Sequence, residues 1–274
     1  MNPAVHPVDI VRVGTGPDAP GRDVAATEEP LEIRLGGTAF VTIMRTPGAD
    51  EDLAAGFLLS EQIVKAPSEL ASVRHCAADD GCEIGNVLNV WLAGDAATRA
   101  ASVLAGRRLV TANSSCGVCG RRSIDDLLHG IEPVPGGWAV ARSVIASMPD
   151  RLRTAQKAFD QTGGLHAAGL FAADGSLVTV AEDVGRHNAV DKVIGAELQR
   201  GHLPLSERVL FVSGRTSFEI IQKAVCAGVP VVASVSAPSS LAISLATDAN
   251  ITLLGFVRNG TFNIYAGADR VVTA

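Results

Sequence analysis

Apolar and polar positions alternate along the chain in two rhythms. "LEIRLGGTAFVTIM" (31–44) has a period of two on either side of Gly36 and Gly37, which predicts two strands joined by a tight hairpin. "PGADEDLAAGFLLSEQIV" (47–64) switches to a helical period, with acidic residues in its first turn and Asp50 as the expected N-cap. "LASVRHCAADDGCEIGNVLNVWL" (70–92) returns to strands, turning at Asp80 and Gly81. "RRLVTAN" (107–113) reads as a short strand and "RRSIDDLLHG" (121–130) as a helix ending at Gly130. "SMPDRLRTAQKAF" (147–159) predicts a helix capped by Ser147 with Pro149 in its first turn. A hairpin turning at Asp174 and Gly175 and a helix over 186–201 closed by Gly201 follow.

The last third alternates strand "RVLFVSG", helix "SFEIIQKAVCAG", strand "PVVASVS", helix "SSLAISLATDA" and strand "ITLLGFV". Such alternation predicts a largely parallel sheet covered by helices, and Asn259 and Gly260 turn the chain into an antiparallel edge strand, "TFNIYA". The expected fold is therefore α/β, a mixed sheet with helices on both faces, plus a smaller β-rich N-terminal part. Residues 1–28 carry no sustained period and are expected to be a loose tail. Residues 29–112 form the smaller part, 113–142 a cysteine loop and connector, and 143–274 the main α/β domain.

With 47% apolar residues among 274, the chain can bury a sizeable core. A charged N-terminal region followed by an apolar run is missing, and so is any stretch of ~20 apolar residues. A cytoplasmic protein without membrane insertion is expected. The net charge of -6 argues against broad nucleic-acid binding but leaves room for a local basic pocket holding one anionic ligand. Five cysteines (76, 82, 116, 119 and 226) do not suggest a disulfide framework in a chain this long, so reduced thiols are expected, with Cys76, Cys82 and Cys226 read as small hydrophobes.

"NSSCGVCG" (113–120) places Cys116 and Cys119 three positions apart in a loop of small residues. The spacing permits redox exchange, although the tryptophan and proline usual in thioredoxin sites are missing. Zinc would need four ligands, and a second C-x-x-C is lacking. Sulfur carriage needs an exposed, ionised, mobile cysteine, which a glycine-flanked loop followed by Arg121, Arg122 and a helix start supplies. The loop alone does not separate sulfur carriage from redox exchange. Elsewhere, "AEDVGRHNAVDKVIG" (181–195) and "SGRTSFEIIQKA" (213–224) put Asp183, Arg186, His187 and Arg215 at strand-to-helix turns, where helix N-termini and arginines bind anionic groups. With 234–240, these clusters fall beyond the carboxyl ends of strands, where one pocket for a phosphorylated ligand is the economical reading.

Taken in order, "RTPGADEDLAAGFLLSEQIV", "SSCGVCG", "TGGLHAAG", "EDVGRHNAVDKVIG", "SGRTSFEIIQKA" and "SVSAPSSLA" resemble the FdhD family of formate dehydrogenase accessory proteins, over about Leu31 to Tyr265. The resemblance implies a sulfurtransferase that accepts sulfur from a cysteine desulfurase and delivers it to the molybdenum cofactor, bis-molybdopterin guanine dinucleotide, of formate dehydrogenase. It also implies a cytoplasmic homodimer with a fold like the cytidine deaminases, for which GDP would mimic part of the cofactor. Cys116 corresponds to the family's persulfide-bearing cysteine and Cys119 to its partner thiol. The family's cofactor-contacting segment corresponds to Phe256, Val257, Arg258, Asn259 and Gly260, and Arg258 supplies charge for a pyrophosphate. Asp183, Arg186, His187 and Arg215 are the further residues expected to grip the cofactor. The deaminase signature H-x-E with P-C-x-x-C is absent, since Ser115 rather than proline precedes Cys116, so zinc-activated water chemistry is not expected. Two alternatives stand beside this reading: a cofactor-binding chaperone without sulfur transfer, and a thiol-disulfide oxidoreductase.

Overall fold

The computed structural model describes residues 2–76, 85–107 and 133–273. Chain order begins with β1 (Val5–Arg12), β2 (Ala19–Ala26), β3 (Glu29–Leu35), β4 (Thr38–Arg45), α1 (Asp50–Ser60), β5 (Leu70–His75), β6 (Val87–Leu92) and α2 (Asp95–Arg107). It continues with β7 (Val140–Ala141), α3 (Arg142–Ala155), α4 (Lys157–Thr162), β8 (His166–Phe171), β9 (Leu177–Asp183) and α5 (Arg186–Gln199). The remaining elements are β10 (Val209–Val212), α6 (Phe218–Cys226), β11 (Val231–Ser234), α7 (Ser240–Asp248), β12 (Thr252–Arg258), β13 (Thr261–Ala266) and β14 (Val271–Val272).

The main sheet runs β13-β12-β11-β10-β8-β9. β10, β11 and β12 pair in parallel and the flanking pairs are antiparallel, as expected from the alternating last third. Successive side chains on a strand point to opposite faces, so a continuous apolar run means both faces are covered. Leu210 and Val212 join one core with residues of α1, α5, α6 and α7, whereas Val209 and Phe211 join a second with Ile145, Met148 and Leu152 of α3. Helices thus lie on both faces of a mixed sheet.

A second sheet runs β4-β3-β6-β5. Its Leu31, Ile33, Leu88 and Val90 share the first core with Leu53 and Leu58 of α1, so this smaller part is continuous with the main body. Gly36 and Gly37 have φ of 55° and 82°, the left-handed pair a tight hairpin requires. α1 lies against α5 at very close range. A Cβ on Gly56 would stand 2.0 Å from the Asp191 carbonyl oxygen, and one on Gly195 1.9 Å from that of Asp52.

Four expectations are corrected. The first 28 residues are not a loose tail: β1 and β2 pair antiparallel from Val5↔Ala26 to Arg12↔Ala19. Most positions of this ribbon are exposed, so its ladder of backbone hydrogen bonds leaves no apolar period to read. Asp50 does not cap α1. Ala49 stands at the cap with φ 54° and no side-chain bond, because the Asp50 carboxylate is taken by Arg45, with Nε to Oδ1 at 3.0 Å and Nη2 to Oδ2 at 2.9 Å. Ser147 does not start a helix either: α3 begins at Arg142, Pro149 lies inside it, and Ser147 Oγ donates to the Val144 carbonyl. Cys76, expected as a reduced thiol, is disulfide-bonded. The turn at Asp80 and Gly81, Cys82, the segments 108–113 and 121–130, Cys116 and Cys119 lie outside the described residues. Among the described residues no helix is long and apolar enough to cross a membrane.

Candidate functional site

Parallel β10, β11 and β12 end along one edge of the main sheet. Antiparallel β8 starts there with His166, opposite the last residue of β9, Asp183. The polar turns that follow these strands are stitched together. The Thr216 amide donates to the Ala237 carbonyl at 3.2 Å, Ser239 to that of Thr216 at 2.9 Å, and Phe256 to that of Ser236 at 3.1 Å. Gly214 lies close to both His166 and Arg186. Arg186, His187, Arg215 and the 256–260 turn, widely spaced in sequence, therefore share one edge, where open α/β sheets bind ligands.

Asp183 has a different position from the one expected. It is fully buried, and its two oxygens accept four hydrogen bonds. Oδ2 receives the Thr46 amide at 3.1 Å and Lys192 Nζ at 2.7 Å; Oδ1 receives the Gly185 amide and Asn188 Nδ2, both at 2.8 Å. Thr46 Oγ1 also accepts from the Val184 amide at 3.1 Å, and its carbonyl accepts from Lys192 at 2.8 Å. With every lone pair engaged, Asp183 has nothing to offer a ligand. It fixes the start of α5, and hence Arg186 and His187, against the strand that ends at Arg45.

His187 Nε2 lies 2.9 Å from Ser217 Oγ and 2.7 Å from Glu219 Oε2. A hydrolytic triad needs the carboxylate on one ring nitrogen and the hydroxyl on the other, so sharing one nitrogen excludes that chemistry. The group holds the first turn of α6 beside α5. Arg186 is different: its Nε is buried with no hydrogen-bond partner among the described residues, and the Oγ1 of fully buried Thr216 shares that condition. A buried donor without an acceptor costs free energy that an anionic ligand would relieve.

The 256–260 turn carries a second sign of function. Phe256 has φ 53° at a break in the β12–β13 register between Gly255 and Arg258. A bulky residue in the left-handed region is strained, and strain of this kind clusters at binding sites. Arg258 is exposed, its guanidinium 5.4 Å from the Phe256 ring centre, and Arg215 is exposed as well. Asn259 and Gly260, at φ 52° and 75°, make the hairpin turn itself. Val257 is fully buried in the α3-side core, so only its backbone reaches the edge.

On the α3 face, a cleft of about 670 Å³ opens beside this edge, lined by Leu152, Gln156, Phe159, Leu165, His166 and Ser213 among others. Burial, reinforced by the positive charges of Arg186 and His187 and only partly opposed by Asp183, holds the His166 imidazole below its ordinary value of 6.5. A folded-state value below the unfolded one means that stability is present above pH 6.5 and is lost as pH falls through that range. The His166 ring, followed by NMR, should titrate below pH 6.5; a midpoint at or above it would contradict this packing.

The sequence motifs left out Thr46, Lys192, Glu219 and the cleft residues Gln156 and Phe159. Lys192 had a readable signal, a cation within the otherwise apolar "AVDKVIGA" (189–196) that must be paired if the helix is buried. Gln156 and Phe159 had none, because the break between α3 and α4 that aims them at the cleft falls inside one apparent helical period.

The FdhD/NarQ family model matches residues 26–272. A protein of Mycolicibacterium paratuberculosis named sulfur carrier protein FdhD is 51% identical over 91% of this chain and 92% of its own length. Proteins of the same name from Streptomyces coelicolor (48%; 96% of this chain, 94% of its own) and Anaeromyxobacter dehalogenans (49%; 91% and 89%) are comparably similar. Among solved structures, a protein of Desulfotalea psychrophila assigned as a formate dehydrogenase accessory protein matches with a TM-score of 0.78 at 23% identity, over 98% of this chain and 100% of that one. At that identity the likeness is one of fold.

Proposed function

Because the chain belongs to the FdhD/NarQ family, we propose that it is a sulfur carrier in formate dehydrogenase maturation, working through a persulfide on Cys116. In this reading the donor is a cysteine desulfurase, and the acceptor is the bis-molybdopterin guanine dinucleotide cofactor of the dehydrogenase. The protein works in the cytoplasm as a homodimer. The Cys116 thiolate attacks the outer sulfur of the donor's persulfide, the S–S bond breaks, and the donor cysteine leaves as a thiolate. Cys119 then either relays that sulfur or attacks the inner sulfur of the Cys116 persulfide, releasing hydrosulfide and leaving a Cys116–Cys119 disulfide for a cellular dithiol to reduce.

The cofactor is the substrate of this transfer, and the cationic edge supports its assignment. Arg186, with a buried donor lacking an acceptor, stands on the same edge as Arg215, Arg258 and the strained 256–260 turn. A pyrophosphate offers acceptors for guanidinium donors and for the amides of such a turn. His187 and Asp183 act from behind by holding the first turns of α5 and α6 in place.

The experiment is mass spectrometry under non-reducing conditions after incubation with a cysteine desulfurase and cysteine. A one-sulfur gain that maps to Cys116 and is absent in Cys116→Ala is expected; no gain in the unaltered protein, with an active desulfurase present, would leave a cofactor-holding chaperone instead. Arg215→Ala or Arg258→Ala should weaken GDP binding by roughly tenfold, the loss of one charge-assisted hydrogen bond, while persulfide loading stays intact. Unchanged affinity in calorimetry would remove these arginines from the site.

A further inference from the structure

The cleft on the α3 face differs in chemistry from the cationic edge beside it. Arg153, one of its lining residues, is committed to Asp160 at 2.5 Å and lies 4.8 Å from the centre of the Phe159 ring. Asp150 adds an acid to the wall, and burial favours the neutral form of His166. No cation is left over here for a phosphate. Gln156, by contrast, is only 5% exposed and lines the cleft, yet its side-chain amide makes no hydrogen bond among the described residues. A primary amide so deeply buried is costly unless something in the cleft pairs with it. Its donor and acceptor, side by side, match a ring edge that presents N–H next to C=O, and Phe159 in the same wall supplies a surface for a flat ring.

We infer that this cleft is a base subsite, in which Gln156 grips the N–H/C=O edge of a 2-amino-4-oxopyrimidine ring while the phosphates run from the His166–Ser213 end onto Arg186, Arg215 and Arg258. This deepens the cofactor reading above and rests on it. Guanine and pterin present the same edge, so either half of the dinucleotide carries the required chemistry. A cleft of about 670 Å³ is of the size that houses small-molecule ligands.

The test is calorimetric titration of the full-length protein and of Gln156→Leu and Phe159→Leu with GDP and, separately, with free pterin. Wild-type binding that falls about tenfold in Gln156→Leu, with persulfide loading and the melting temperature retained, is expected, since two neutral hydrogen bonds are lost. A fall for GDP alone assigns the cleft to guanine, and a fall for pterin alone assigns it to the pterin. Unchanged affinities in both variants overturn the subsite and leave the cofactor reading standing; a wild type that binds neither ligand overturns both. Independently of folding in any variant, 1-methyl-GDP, whose N1 cannot donate, should bind the unaltered protein about tenfold more weakly than GDP. Equal binding of the two overturns the inference.

Discussion

Gly195→Ala is expected to cost the fold about 3 kcal/mol or more, at the upper end for overpacking a core. A methyl there would sit 1.9 Å from the Asp52 carbonyl oxygen and 2.6 Å from the Gly56 amide, and both obstacles are backbone. Side chains can change rotamer to admit a methyl; two facing helix backbones can only move apart. Moving α1 away from α5 would open the core that Leu53 and Leu58 share with Val190 and Ile194. Such a loss should lower the melting temperature by ~10 °C in a chain of this size. Gly56→Ala, aimed at the Asp191 carbonyl from the other helix, should match it. A melting curve unchanged by either would mean that the helices do not approach this closely in solution.

Asp183→Ala should be comparably severe, about 3–5 kcal/mol, because it strands a buried cation. Lys192 is 3% exposed and would keep only the Thr46 carbonyl as an acceptor, while the Thr46 and Gly185 amides would lose theirs. Against a usual stability of roughly 5–15 kcal/mol, that is a large fraction, and the urea midpoint should fall accordingly. Adding Lys192→Met should restore part of the loss, since removing both buried charges is far cheaper than removing one. A single variant that costs less than about 1 kcal/mol, or a double variant less stable than the single, would refute the latch.

The legible parts of the fold were those whose local chemistry and tertiary setting agree. β10 and β11 read as continuous apolar runs because both their faces are covered, and Gly36–Gly37 and Asn259–Gly260 marked their hairpins because such turns need positive φ. The β1–β2 ribbon was illegible because hydrogen bonds, not burial, define it. Asp50 misled because a carboxylate at a helix start can cap the helix or pair with a cation, and only the fold brings Arg45 to it. At the site, spacing picked out Arg186, His187 and Arg215, but not that Val257 turns into the core or that Asp183 faces away from any ligand. Those distinctions depend on strand register and on Thr46, more than a hundred residues away in sequence.

The Thr46–Asp183–Lys192 latch also bears on how a mutational survey of this protein should be read. A change at Asp183 that leaves enough folded protein to assay would let the first turn of α5 drift, and Arg186 with it. In a screen scored only by formate dehydrogenase activity, Asp183 would then be grouped with the arginines, although no ligand touches it. Denaturation separates the two groups: Arg215 and Arg258, exposed at the edge, should change affinity with little change in stability, whereas Asp183 should change both together.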